Sequence, residues 1–140
     1  ERTKIYRDDE SFLLVAIRAN PQLAKLYSIL GNVYIGKQDI PTAKRFYTKA
    51  LALDPYDLPA NYMLGFLFHQ AGQHDKARIN LERIARIKPV FKVEFAPVAH
   101  AWEMLGNKEK ALFYYRKGLA LNPESTRLRE NGLTPCSWTV

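Results

Sequence analysis

A period of 34 residues governs this chain. Laid over itself at that offset, the sequence puts Leu30, Leu64 and Val98 in one column, Gly31, Gly65 and Ala99 in the next, and Tyr34, Phe68 and Trp102 just beyond. Later columns hold Ala43, Ala77 and Ala111, then Tyr47, Leu81 and Tyr115, then Leu51, Ala85 and Leu119, and last Pro55, Pro89 and Pro123. The register never slips. Pro21 continues the proline column one period earlier, so "ESFLLVAIRANP" aligns with the second half of a further copy. A period of this length is the signature of stacked supersecondary units, each burying its apolar face on the next.

Every column has a physical reason. Small residues at Gly31/Gly65/Ala99 and Ala43/Ala77/Ala111 let two helix backbones approach closely, and the aromatic columns fill the space that remains. Phe46, Tyr47, Ala50, Leu51 and Leu53 recur at helical spacing and define one stripe turned toward a neighbour. Asp39 stands where an N-cap belongs, with Pro41 in the first turn, where a missing amide hydrogen costs nothing. Gly36 precedes that cap, and Gly72 and Gly106 occupy the corresponding turns, where a helix end calls for glycine. Asn20-Pro21, Asp54-Pro55 and Asn122-Pro123 close each copy, because the residue before proline is pushed out of the helical region.

Composition narrows the classes. With 47% apolar and 25% charged residues over 140 positions, the chain has the make-up of one ordinary globular domain. No stretch approaches the roughly 18 uninterrupted apolar residues that span a bilayer. The net charge of +7 is dispersed in pairs such as Lys44-Arg45 and Arg116-Lys117 with acids between them, which reads as a solvated helix surface and not as a nucleic-acid patch. Cys136 is the single cysteine, so an internal disulfide and a multi-cysteine zinc site are excluded. The first residue is Glu1, with no charged-then-apolar leader after it, the pattern expected of a mature or excised segment, and the compartment stays open.

A 34-residue period carrying L-G-x-x-Y at Leu30 to Tyr34, A-x-x-x-Y at Ala43 to Tyr47 and a terminal Pro55 resembles the tetratricopeptide repeat. The resemblance implies an all-α fold, a right-handed α-solenoid of antiparallel helix hairpins. Its parts are a half repeat over 6–21, full repeats over 24–57, 58–91 and 92–125, a short capping helix over 126–132 and a tail over 133–140, expected to be disordered, that carries Cys136 and Trp138. Departures concentrate in the third repeat, where Val98-Ala99 replaces Leu-Gly, Gly118 replaces a small helix former, and Pro97 is expected to bend the first helix.

In this family the first helices line a concave groove. The positions so implied are Lys25, Ser28, Ile29, Asn32 and Ile35 from the first repeat, Tyr62, Met63, Phe66, His69 and Gln70 from the second, and Val93, Pro97, His100 and Glu103 from the third. Tyr62 and Phe66 are the anchors implied by residue type. Of the Lys, Asn and Arg set with which some members grip a chaperone peptide's carboxylate, only Asn32 is present, because Ser28, Met63, Val93 and Pro97 occupy other clamp positions. The groove is therefore apolar and suited to a helix or an extended peptide with bulky side chains. His69, His100 and Glu103 also admit a second reading as a zinc set with one open position, against the plainer one of a solvated groove edge, while His74 is assigned to a turn without a role.

No phosphate loop, H-E-x-x-H or G-x-S-x-G occurs. The expectation is a non-catalytic scaffold for a protein or peptide partner, without cofactor, metal or nucleic acid. Two alternatives stay open. The apolar run "SFLLVAI" invites self-association, by way of a homodimer through the half repeat. The pattern R-x-x-x-Y-x-D-x-x-S-F-L, carried by Arg2, Tyr6, Asp8, Ser11, Phe12 and Leu13, is similar to the junction that follows the last membrane helix in polytopic glycosyltransferase-like proteins with repeat tails. That similarity implies an extracytoplasmic tail positioning a protein acceptor, with no membrane insertion of its own.

Overall fold

The computed structural model describes residues 2–121, with side chains from Glu10 onward. The expected cap over 126–132, the tail over 133–140, the Asn122-Pro123 stop and the side chains of Arg2, Tyr6 and Asp8 lie outside the described residues. Among those described there are seven α-helices and no strand: α1 (Arg2–Ala19), α2 (Ala24–Gly36), α3 (Ile40–Leu53), α4 (Leu58–Gln70), α5 (His74–Ala85), α6 (Lys92–Met104) and α7 (Lys108–Leu121). The fold is an all-α helical-repeat solenoid. None of these helices is long and apolar enough to cross a membrane. The chain divides into two compact units, Glu1–Leu64 and Gly65–Val140, the boundary falling inside α4.

In the first unit, α2 and α3 form a hairpin whose closeness depends on Gly31. A Cβ built on Gly31 would sit 2.6 Å from Tyr47 Cε1, well inside contact distance, so the Tyr47 ring occupies the space that a side chain would need. Tyr47 is wholly buried. Burial pushes its hydroxyl pKa up, and the hydroxyl donates to Asn32 Oδ1 at the edge of the hairpin. Against this pair lies α1, which buries Leu13 with Leu30 and Val33, flanked by Ile17, Leu26, Tyr34 and Phe46. Helix α1 runs without interruption from Arg2 to Ala19. Near its middle, the Glu10 carboxylate accepts from the Tyr34 hydroxyl and pairs with Lys37. The Lys37 ammonium, then the Tyr34 hydroxyl, hold that carboxyl below its ordinary pKa, and Glu10 in turn pushes Tyr34 up to about 12.

The second unit repeats the device with other side chains. A Cβ on Gly65 would lie 3.0 Å from Leu81 Cδ2, the end of a flexible side chain. In the α6–α7 hairpin, Ala99 joins Ala111 and Tyr115 in one buried cluster with Ala96, Trp102, Tyr114 and Leu119 around it. Helix α6 continues through Pro97 to Met104. At its start stands Phe91, which has no group to cap with, and Glu94 supplies the acceptor instead, taking the Val90 and Phe91 amides at 2.8 and 3.0 Å.

The turns show the period atom by atom. Asp39, Gln73 and Asn107 donate their amides to the carbonyls of Tyr34, Phe68 and Trp102, each at 2.9 Å. Gln38, Gly72 and Gly106 donate to Ile35, His69 and Glu103, which completes a Schellman end on all three first helices. The left-handed residue is Gly72 in one turn and Gly106 in another, but in the first it is Gln38, at φ 62°. This corrects the sequence reading: Gly36 is the last helical residue of α2, and the column that needs positive φ falls two positions later. Asp39 caps α3 by accepting from the Thr42 amide, and Asn107 likewise accepts from Lys110, whereas Gln73 makes no such bond.

Two outcomes follow from this packing. Gly31→Ala is expected to cost about 1–3 kcal/mol in chemical denaturation, because the buried Tyr47 ring has nowhere to go. Gly65→Ala should change stability by less than about 1 kcal/mol, since Leu81 can rotate and alanine recovers helix propensity; equal losses at the two sites would contradict the account. The second outcome concerns pH. A carboxyl with a lowered folded pKa stabilises above its unfolded value and stops doing so as pH falls through the folded one. Glu10→Gln should therefore be less stable than wild type by about 0.5–1 kcal/mol near neutrality, with the difference vanishing under acid below the carboxylate range.

Candidate functional site

In the first unit the α2 positions expected to face a groove are Lys25, Ser28, Ile29 and Asn32. Lys25, Ile29 and Asn32, spaced four and then three apart, are exposed on one side of that helix, with Ile29 open to 38%. Ser28 is a correction. It is wholly buried, and its hydroxyl donates to the Lys25 carbonyl at 3.0 Å, so it serves the helix and offers no contact to a partner. Asn32 stays exposed while its side-chain carbonyl oxygen takes the Tyr47 hydroxyl. Tyr62 and Met63, on the early turns of α4, are half-buried.

The start of α4 is fixed by a small polar network. Asp57 accepts the Ala60 amide at 3.0 Å, and the buried Asn61 side chain donates to the carbonyls of Pro55 and Asp57 at 2.9 Å each. These bonds set the helix phase that leaves Tyr62 and Met63 half-open.

In the second unit Phe66 and His100 are neighbours, with ring centroids 6.1 Å apart and planes inclined at 49°. Val93, one helical face below His100 by way of the half-buried Pro97, is 79% exposed. Glu103 is exposed but occupied, accepting from the Tyr115 hydroxyl at 2.8 Å. His69 stands against His74, with ring centroids 5.0 Å apart in an edge-on contact, and away from the partners the zinc reading gave it. That reading is corrected: His69, His100 and Glu103 each have a different neighbour, and the described residues contain no group of three or more His, Cys, Asp or Glu able to hold a metal ion. His74, set aside in the sequence as a turn residue, is the one that pairs with a groove position.

Two recesses of the second unit escaped the sequence reading. One, of about 460 Å³, is lined by Arg78, Glu82, Arg86, Trp102, Leu105 and Asn107 and includes none of the expected groove residues. Trp102 stands in the aromatic column and reads as packing, yet its buried Nε1 has no hydrogen-bond partner and Lys110 lies 4.3 Å over its ring. The signal was available in the column itself, since tryptophan is the member whose N–H demands an acceptor. The other recess, about 260 Å³, brings His69 and His74 together with Asp75 and Met104.

Family models described as tetratricopeptide repeat match residues 34–92 and 103–125. Among curated proteins, anaphase-promoting complex subunit 3 of Schizosaccharomyces pombe is 25% identical over 114 residues, covering 81% of this chain and 17% of its own length. Small glutamine-rich tetratricopeptide repeat-containing protein 2 of Mycosarcoma maydis is 28% identical over 100 residues, covering 71% of this chain and 28% of its own. The chain thus spans less than a third of either relative. Among solved structures, YrrB, described as a TPR protein with an unusual peptide-binding site, matches at a TM-score of 0.63 and 24% identity over 85% of this chain and 61% of that one; the likeness is one of fold.

The dispersal of the three zinc candidates has a direct test. Excess zinc should leave the melting temperature unchanged, since a site that binds only the folded state would raise it. A rise that His100→Ala abolishes would restore the metal reading.

Proposed function

The chain belongs to the tetratricopeptide-repeat family, and from that premise we propose that it is a non-catalytic protein-interaction scaffold whose first helices present an apolar face to a segment of a partner protein. The observation that carries the proposal is the division of labour along these helices. Leu30, Gly31 and Val33 of α2, and Phe95, Val98 and Ala99 of α6, are buried in the hairpins. Lys25, Ile29 and Asn32 on α2, and Val93 and Glu103 on α6, are exposed, and His100 is half-buried; Asn32 and Glu103 also accept from the Tyr47 and Tyr115 hydroxyls at the edges of the hairpins. An exposed Ile29 between a cation and an amide, and an exposed Val93 two helical turns before the His100 that meets Phe66, have the mix of apolar anchor and polar rim that recognition of a peptide uses.

Phe66 is the proposed anchor of the second unit, with Val93 beside the same face, and Tyr62 and Met63 extend the candidate surface of α4 in the first. His69 and Glu103 are its polar edge. The partner is a protein, recognised by bulky apolar side chains, and neither a cofactor nor nucleic acid enters the reading.

A photo-crosslinking amino acid at Phe66, with the exposed Thr48 of α3 as control, tests the assignment in cells that make the protein. A discrete adduct from position 66 alone is expected. Phe66→Lys and, independently of the Phe66–His100 contact, Val93→Lys should each weaken capture of the crosslinked partner by at least about tenfold, the loss expected for an anchor worth over 1 kcal/mol. Adducts from both positions alike, or full binding by both variants, would remove the groove-face assignment.

A further inference from the structure

The recess beside Trp102 stands in register with a polar contact of the first unit. At the 34-residue period Trp102 shares a column with Tyr34, Arg78 with Glu10, Leu105 with Lys37, and Tyr114 with Phe46. In the first unit these positions form one arrangement. The Tyr34 ring stacks on Phe46, its hydroxyl donates to Glu10, and Lys37 pairs with the same carboxylate. In the second unit Trp102 and Tyr114 both pack on the buried Ala99, Ala111 and Tyr115, so the apolar half is kept. The polar half is not. Arginine stands in the column of Glu10 and leucine in that of Lys37, and the buried Trp102 Nε1 has no acceptor. A buried N–H left unpaired carries a desolvation cost that an arriving acceptor would relieve.

The charges around the recess fit an anionic acceptor. Arg78 and Arg86 line it from α5 and the residue that ends that helix, while Trp102, Leu105 and Asn107 line it from α6 and the turn beyond. The lining holds one carboxylate, Glu82, which accepts from Arg78 Nε at 2.8 Å and leaves the Nη donors of that guanidinium for another partner. Two guanidiniums thus face a single acid, and the Lys110 ammonium lies 4.3 Å over the Trp102 ring. We infer that this recess is a second binding site of the chain, which takes an aspartate or glutamate side chain of a partner protein where the first unit has Glu10.

A carboxylate is the anion that the surroundings favour. It is the group that the same columns bring together in the first unit, and a guanidinium offers it a two-pronged charge-assisted bond. A phosphate carries up to twice the charge and would meet stronger repulsion from Glu82. Ala85, Leu105 and the indole supply apolar wall for the residues on either side of the acid. Entry requires exposed side chains to move, Lys110 above the ring first among them, a rotamer change of the kind that interfaces commonly show. Only the source of the carboxylate rests on the scaffold reading. The recess shares no residue with the proposed groove face, so the crosslink from position 66 and the binding described here can fail separately.

Nitrogen–proton NMR of the indole N–H decides it. The chain has two tryptophans, and Trp138→Phe leaves Trp102 as the sole indole reporter. The probes are end-blocked peptides of serine and glycine with a central Leu-Glu-Leu, the same peptides with glutamine for glutamate, and the single residue N-acetylglutamate amide. The glutamate peptide is expected to move the Trp102 indole proton downfield and to saturate, with the glutamine peptide and the single residue each at least about tenfold weaker. Arg86→Glu should raise the dissociation constant at least about tenfold while leaving the melting curve unchanged. Arg78→Glu with Leu105→Lys rebuilds the Glu10 and Lys37 pair in the second unit, so it should shift the indole proton downfield without any peptide and abolish the response to one. Equal binding of the glutamine peptide overturns the carboxylate site, and so does an indole resonance that neither the glutamate peptide nor the rebuilt pair moves. Equal binding of the single residue overturns the protein as its source.

Discussion

The close approach of two helices at a single column of small residues is the contact on which each hairpin depends. Gly31 gives its side-chain volume to the Tyr47 ring, Gly65 gives a smaller allowance to Leu81, and Ala99 sits with Tyr115 in the third hairpin. A tight interior has no slack for an extra methyl group at such a crossing. Fixing the distance between the two helices fixes which faces are spent on packing, and therefore which remain for anything else. Lys25, Ile29 and Asn32 are exposed because Leu30, Gly31 and Val33 are the side of α2 that is buried.

The polar contacts add precision to that arrangement more than they add strength. The Schellman ends at Gln38, Gly72 and Gly106 satisfy the last carbonyls of α2, α4 and α6 with the same pair of hydrogen bonds each time. Where the sequence departs from the best residue, a neighbour compensates. Glu94 reaches back to the amides at Phe91, which cannot cap a helix itself. Gln38 takes a conformation that glycine adopts more easily, and the hydrogen bonds on both sides of it hold it there. The same logic explains Tyr34, whose hydroxyl is satisfied by Glu10, and makes Trp102 conspicuous, since the N–H in its column has found no acceptor.

What could be recognised in the chain follows from which columns repeat. Positions that hold hairpins together must carry compatible residues in every copy, so Gly31, Ala43, Tyr47 and their equivalents announce the fold class by recurrence. Asp39 announced a cap because cap chemistry is local. Positions that face a partner carry no such constraint, and the sequence is nearly silent about them. It put Ser28 on the groove when the helix buries it, and it paired His69 with His100 and Glu103 when the turn places His74 closer. It also read Trp102 as filling alone, although the recess beside it draws on Arg78 and Arg86 from α5, residues that no motif links to α6.

By itself, the sequence determined the 34-residue period, the helical hairpin and the packing columns, because those rest on local propensity and on side-chain volumes that must recur in each copy. Only the tertiary structure decided which glycine-like position adopts positive φ, which polar groups are used up inside the fold, and which apolar residues are left outside it. Those outcomes depend on distances between residues far apart in the chain. Tyr115 claims Glu103, and Tyr34 with Lys37 claims Glu10, through contacts that no spacing rule encodes. Exposure at Phe12, Val15 and Val93 is likewise a property of the assembled helices, fixed by what fails to pack against them.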